Sequence, residues 1–290
     1  RPAGVAQRCV QVCRTRGHLD CLQYAHENGY PWDVAVIESA AQNGHLNCME
    51  YAHQQGLELH KDVCKKAAMN GHLGCLQYAH ENGCPWDSYT TQYAAQKGHI
   101  HCLLYAMEHG CPVDNWACCQ ACSCDQLECM QLLHQSDIPC DAFVVCCAAQ
   151  SPGIKCLQYL RDHGCPWDGD VPDEAAREGN MEFLRYALER GCPHNDKIVE
   201  NTTHGNNLNC LQYVVEDQGL YMDKEVFKVA LLIGDLANLQ YLLDQGCPIL
   251  DAEFDDCVEK QDYYEYIFGI DNPEFVLCVG LAVERGWVPC

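Results

Sequence analysis

The chain repeats itself every 27 residues. Gly17 to Asp33 reads GHLDCLQYAHENGYPWD and Gly71 to Asp87 reads GHLGCLQYAHENGCPWD. Between and beyond them stand GHLNCMEYAHQQG from Gly44, GHIHCLLYAMEHGCPVD from Gly98, DQLECMQLLHQSDIPCD from Asp125, PGIKCLQYLRDHGCPWD from Pro152, GNMEFLRYALERGCPHN from Gly179, NNLNCLQYVVEDQGLYMD from Asn206 and GDLANLQYLLDQGCPILD from Gly234. The middle position keeps the register: Cys21, Cys48, Cys75, Cys102, Cys129, Cys156, Phe183 and Cys210 stand 27 apart, and one residue is inserted near Gln218. A unit this short cannot bury an apolar face alone, so neighbouring units must stack.

Each unit reads as two short helices. An aspartate recurs where the first begins, at Asp33, Asp87, Asp114, Asp141, Asp168, Asp223 and Asp251. A carboxylate there accepts from the free N–H groups of the first turn and favours the positive end of the helix dipole. Val36, Ile37, Ala40 and Ala41 supply an apolar face, and Gly44, Gly71 and Gly98 suit the left-handed residue that closes a helix. The second helix, from about His18 to Asn28, carries Leu19, Leu22, Tyr24 and Ala25 on overlapping faces. Gly29, Gly56 and Gly83 end it and its equivalents, and Pro31, Pro85 and Pro112 forbid continuation. Such helices are only ~15 to 18 Å long and do not stand alone in water. The expectation is an all-α solenoid of about ten helix-turn-helix units forming one array over residues 1–290. Residues 1–16 form a divergent half-unit, with Arg8, Arg14 and Arg16 in place of smaller residues, and residues 262–290 an irregular cap.

Eighteen Lys and Arg against 41 Asp and Glu give a formal charge of −23. That charge repels phosphate backbones and anionic headgroups, so nucleic acid is not an expected partner. Apolar runs such as Phe143 to Ala149 are far shorter than the ~18 to 20 residues of a membrane helix, so no membrane insertion is expected. An apolar content of 48% is enough to build a core rather than a disordered chain. The start at Arg1, with neither a methionine nor a signal-peptide pattern, reads as a segment or processed product.

The stretches NGHLNCMEYAHQQG and NGHLGCLQYAHENG resemble the second half of an ankyrin repeat, and the pairs Ala40-Ala41, Ala67-Ala68, Ala94-Ala95, Ala148-Ala149 and Ala175-Ala176 resemble the Ala-Ala of the ankyrin first helix. The resemblance runs from about Val5 to Gly246. Ankyrin units have about 33 residues, whereas these have 27. The difference falls where ankyrin proteins carry a β-hairpin finger and a T-P-L-H motif, which Ala35-Val36-Ile37-Glu38 does not match. The chain looks like the short, Cys- and Trp-rich ankyrin variety of giant viruses and protists, with shortened inter-repeat hairpins.

The resemblance implies a protein-interaction scaffold that recognises a protein partner on the concave first-helix face. Family-type contact positions fall on Gln42, Asn43, Met69, Asn70, Gln96, Lys97, Arg177 and Glu178, and on Ser88, Asn115, Ala142 and Gly169. Tyr89 and Trp116, near helix starts, are either interface anchors or packed residues. The acidic surface suits a partner with a basic patch. The alternative is a structural subunit, a homo-assembly of arrays packed end to end or side by side into a filament or shell.

The 25 cysteines admit three readings. The helix-centre set, Cys21 and its equivalents, occupies an ankyrin valine position and reads as small buried hydrophobes. Cys75 and Cys84 lie roughly 13 Å apart along the chain and equivalents such as Cys75 and Cys102 about 8–10 Å apart, both beyond the ~7 Å limit for a disulfide. A reducing compartment, the cytoplasm or another, is the expected setting, with the extracellular space and the virion left open and Asn201-Thr202-Thr203 a lone sequon that matters on export. Cys118, Cys119, Cys122, Cys124, Cys129, Cys140, Cys146 and Cys147 crowd together but fit no C-x₂-C metal frame. His18 with Cys21, repeated at His45, His72 and His99, reads as a cap or brace of the Gly-His junction. No metal or cofactor is expected. No catalytic frame emerges either: G-x-S-x-G, the phosphate loop, G-x-G-x-x-G after a strand and H-E-x-x-H are all missing.

Overall fold

The computed structural model describes residues 16–30, 32–248 and 273–285. Arg8, Arg14, Pro31, Asp251 and most of the expected terminal cap lie outside the described residues. Every regular element among the described residues is helical. The chain divides into two compact units, Arg1–Pro166 and Trp167–Cys290.

The first unit holds α1 (Leu19–Glu27) and five helix pairs. These are α2 (Val34–Asn43) with α3 (Leu46–Gln54), α4 (Lys61–Met69) with α5 (Leu73–Glu81), α6 (Ser88–Gln96) with α7 (Ile100–Glu108), α8 (Asn115–Ser123) with α9 (Leu127–Gln135), and α10 (Ala142–Cys147) with α11 (Lys155–Asp162). The first helices α2, α4, α6, α8 and α10 contact one another far more extensively than the second helices do. Ala40, Ala41, Ala67, Ala68, Ala94 and Ala95 are all buried there and let the backbones approach. The second helices insert larger groups, Leu22, Met49, Leu76, Leu103, Met130 and Leu157, each stabilising the stack by about 1.5–3 kcal/mol on burial.

The aspartates cap as the pattern requires at four of the five positions described in the two units besides Asp114. Asp33 accepts from Ala35 N at 3.1 Å, Asp87 from Tyr89 N at 3.2 Å, Asp141 from Val144 N at 3.1 Å and Asp223 from Glu225 N at 3.0 Å. Asp168 accepts from Asp170 N at 3.1 Å just before its helix. Asp114 does not cap: the Gln92 amide on the preceding first helix donates to both its oxygens, at 3.0 and 2.9 Å.

The Gly-His junction is a brace between neighbouring pairs rather than a cap. His45, His72 and His99 make no cap hydrogen bond to their own helices. Instead the His72 Nε2 lies 3.1 Å from the Gln42 carbonyl of the preceding pair. A β-carbon built on Gly44, where φ is +73°, would lie 2.5 Å from the His72 ring. Glycine is needed there both for the left-handed turn and for the neighbour's imidazole.

The second unit repeats the arrangement with α12 (Asp170–Arg177) and α13 (Met181–Glu189), α14 (Ile198–His204) and α15 (Leu208–Gln212), α16 (Lys224–Ile233) and α17 (Leu236–Asp244), followed by α18 (Pro273–Glu284) packed on α16 and α17. Asn207 replaces the bracing histidine and donates to the Gly179 carbonyl at 2.7 Å. The inserted residue expected near Gln218 is absorbed slightly earlier: α15 runs on as one π turn, Tyr213–Asp217, with Gln218 N bonded to Tyr213 O at 3.1 Å. A π turn is the way a helix accommodates one extra residue without breaking. Asn201, Thr202 and Thr203 are buried in α14, so the sequon has no room for a glycan in this packing.

Candidate partner-binding face and thiol clusters

The expected contact residues divide by environment. Gln42, Asn43, Lys97, Arg177 and Glu178 are exposed, while Met69, Asn70, Ser88, Gln96 and Asn115 are half-buried. Several serve their own fold. Asn43 and Asn70 donate to the Ser39 and Lys66 carbonyls one turn back, each at 2.8 Å. Gln96 donates to Gln120 on the next first helix at 2.7 Å and Asn115 to Asp141 at 3.3 Å. In the second unit Arg177 pairs with Glu174 at 3.0 Å.

Tyr89 and Trp116 are not packed away. They are 52% and 54% exposed, and Phe143, the next residue in the same register, is 51% exposed. All three occupy the second position of their helices α6, α8 and α10. Trp116 and Phe143 meet edge to face at 5.7 Å. The Lys65 ammonium stands 5.6 Å from the Tyr89 ring and 5.2 Å from that of Tyr93. Sequence reasoning omitted Phe143, although the 27-residue period alone points to it.

A second feature was also missed: histidines of the second helices bond tyrosines of the next pair. His26 Nδ1 is 2.9 Å from Tyr51 OH, His53 Nδ1 3.0 Å from Tyr78 OH, His80 Nδ1 2.9 Å from Tyr105 OH, and His134 Nδ1 3.1 Å from Tyr159 OH. Where the histidine becomes Met107, the tyrosine of the next unit becomes Leu132. Burial raises the Tyr51, Tyr78 and Tyr105 hydroxyls above the usual phenol value, helped by nearby glutamates.

The cysteines separate by register. Cys48, Cys75, Cys102, Cys129, Cys156 and Cys210 are buried as expected, whereas Cys21 is exposed. Burial pushes the Cys75 and Cys102 thiols up to about 11. The set after the second helix has a polar role: Cys84, Cys111, Cys192 and Cys247 donate to the carbonyls of His60, Asp87, Asp168 and Asp223 at 3.1, 3.4, 3.4 and 3.4 Å. The crowded thiols are explained by position as well. Cys118 stands in register with Cys64, Cys122 with the second alanine of each pair, and Cys140 with Trp32 and Trp86. Thiol contacts join non-equivalent positions: Cys64 with Cys84, Cys118 with Cys140, Cys119 with Cys147, Cys122 with Cys156, and Cys140 with Cys165. Comparing only equivalent cysteines overlooks them, because they depend on how far one pair is offset from the next. The hydrogen bond from Cys64 holds the Cys84 thiol below the usual value, and that from Cys118 does the same for Cys140. Among the described residues, two groups bring metal-donor atoms within 4.8 Å of one another: His134, Cys140 and Cys165, and Glu38, His60 and Asp62. In the second, Glu38 already pairs with Lys66 and with His60.

No helix among the described residues is long and apolar enough to cross a membrane. No protein-family model matches the sequence, and no curated protein does. Among solved structures, the chain is similar to the crystal structure of the human ASB11 ankyrin repeat domain, with 16% identity and a TM-score of 0.47 over 54% of this chain and 84% of that one.

Proposed function

We propose that the chain is a protein-recognition module built from short, 27-residue ankyrin-type units, and that its first unit captures a protein partner on the first-helix side through Tyr89, Trp116 and Phe143. The exposure of three aromatic rings at one repeated position on adjacent helices carries this reading. Large aromatics left half in solvent cost solubility and are the residue types that dominate interface energies. The extensive contact among first helices supports placing their side on the inside of the curve of this unit. Lys65 beside Tyr89 adds a donor for a carbonyl or carboxylate, while the overall charge of −23 favours a partner with basic residues around an apolar anchor.

The test is a selection of binders from a displayed peptide or small-domain library, followed by affinity measurements on variants. Trp116→Ala and Phe143→Ala should each weaken selected binders by roughly tenfold or more. Tyr221→Ala, at a 77% exposed ring in the second unit, should leave them unchanged. Binders indifferent to Trp116→Ala, Phe143→Ala and Tyr89→Ala together would contradict this surface.

A further inference from the structure

In the first unit the second-helix histidine is covered by an indole where the repeat supplies one. Trp32 stacks on His26 and Trp86 on His80, each at 4.0 Å between ring centroids. After α9 the tryptophan position is Cys140, so a thiol faces the imidazole of His134 instead. The framework cysteine of the next turn, Cys165, arrives at the same place. Donor atoms of His134, Cys140 and Cys165 all lie within 4.8 Å of one another. The Cys118 thiol, on α8, is close enough to those of Cys140 and Cys165 to feel both electrostatically. Cys165 is buried, His134 and Cys140 are partly buried, and the group borders a surface pocket of about 300 Å³ that Asp137 and His163 also line.

We propose that His134, Cys140 and Cys165 bind one Zn(II) ion, with Cys118 on α8 as a candidate for the fourth position. Zinc takes four nitrogen and sulfur donors in a tetrahedron, with metal–sulfur distances of about 2.3 Å and metal–nitrogen distances of about 2.0–2.1 Å. Those lengths put donors roughly 3.5 Å from one another, so a group already within 4.8 Å closes on the ion by small side-chain rotations. The donor set is too soft for magnesium or calcium, and Cu(I) is its chief competitor. His134 Nδ1 is engaged with the Tyr159 hydroxyl at 3.1 Å. That bond leaves Nε2 for the metal and fixes the ring, the role that outer partners of metal-bound histidines play. The equivalent sites cannot do this, since His26 and His80 carry tryptophans and the position beside His53 is Leu59. The donors come from two successive helix pairs and the turns that follow them, with Cys140 and Cys165 standing 25 residues apart, which is why no short cysteine spacing announces them.

The experiment is a Co(II) titration of the metal-free 290-residue chain in a phosphine reductant, read by thiolate-to-cobalt charge-transfer absorption and by d–d bands, then by displacement with Zn(II). One Co(II) per chain with tetrahedral d–d intensity, displaced by one equivalent of Zn(II), is expected. Cys140→Ser and His134→Gln should each weaken binding by at least about tenfold, with far-UV circular dichroism unchanged. Cys118→Ser should retain binding with altered d–d intensity. Cys124→Ser, at an exposed thiol outside the group, is the control and should bind as the parent does. Three results would overturn the proposal: no charge-transfer band in the parent, a band that survives both Cys140→Ser and His134→Gln, or binding that Cys124→Ser weakens as much as they do.

Discussion

The imidazole of His72 occupies the space above Gly44 and bonds the Gln42 carbonyl at 3.1 Å, so one helix pair locks onto the turn of the pair before it. Gly44→Ala should destabilise the chain by about 1–2 kcal/mol from the left-handed φ alone, and further through the displaced ring. His72→Ala should cost about 1 kcal/mol. The double variant should be less damaged than the sum by about 0.5 kcal/mol or more, since the ring is no longer there to clash. Urea denaturation of the four proteins measures this, and strict additivity would remove the brace.

The histidine–tyrosine contacts should behave as coupled pairs. Tyr78→Phe leaves His53 Nδ1 without its partner at 3.0 Å and should lower stability by about 1 kcal/mol. His53→Met combined with Tyr78→Leu reproduces the Met107 and Leu132 pairing found elsewhere in the chain. That double change should cost less than Tyr78→Leu alone.

Asp125 and Asp137 stand at positive φ, 51° and 59°, in registers where other units use glycine. Asp137→Gly should stabilise the chain by about 0.5–1 kcal/mol, the relief of left-handed strain less the entropy of a glycine. Asp125→Gly should bring no gain, because the Asp125 carboxylate accepts from Cys156 N at 2.8 Å. Equal shifts in the two denaturation midpoints would contradict this distinction.

Asp173 predicts a pH dependence for the second unit. Burial raises its pKa above the ordinary carboxylate value, opposed in part by the Asn195 amide, which donates at 2.9 Å. The folded state therefore holds this proton more tightly than the unfolded chain does. At neutral pH the ionised group opposes folding; the opposition fades as pH falls through the raised folded pKa and is gone below the unfolded value of about 3.9. The stability of Asp173→Asn relative to the parent should be greatest near pH 7 and shift in the parent's favour toward pH 4. A pH-independent difference between the two denaturation midpoints would refute the assignment.

Much of this architecture was legible in the repeat. The helix pairs, the left-handed glycines at Gly44, Gly71 and Gly98, and the capping roles of Asp33, Asp87, Asp141 and Asp223 follow from backbone chemistry within a few residues of one another. Asp114 shows the limit: its local sequence is that of a cap, and a glutamine 22 residues earlier takes its carboxylate instead. Phe143 was legible too, through the period rather than through its neighbours.

By itself the sequence determined the period, the helix pairs, the residues that close each helix and the presence of one extra residue in the eighth interval of the register, because each rests on local backbone preference or on counting. Tertiary structure alone decided which side chains meet across pairs: His72 with Gln42, His53 with Tyr78, and His134 with Cys140 and Cys165. Those partners are separated by 6 to 31 residues along the chain. Their meeting depends on the lateral offset between stacked helices, which is set by how closely small residues such as Ala67 and Ala68 let the first helices approach.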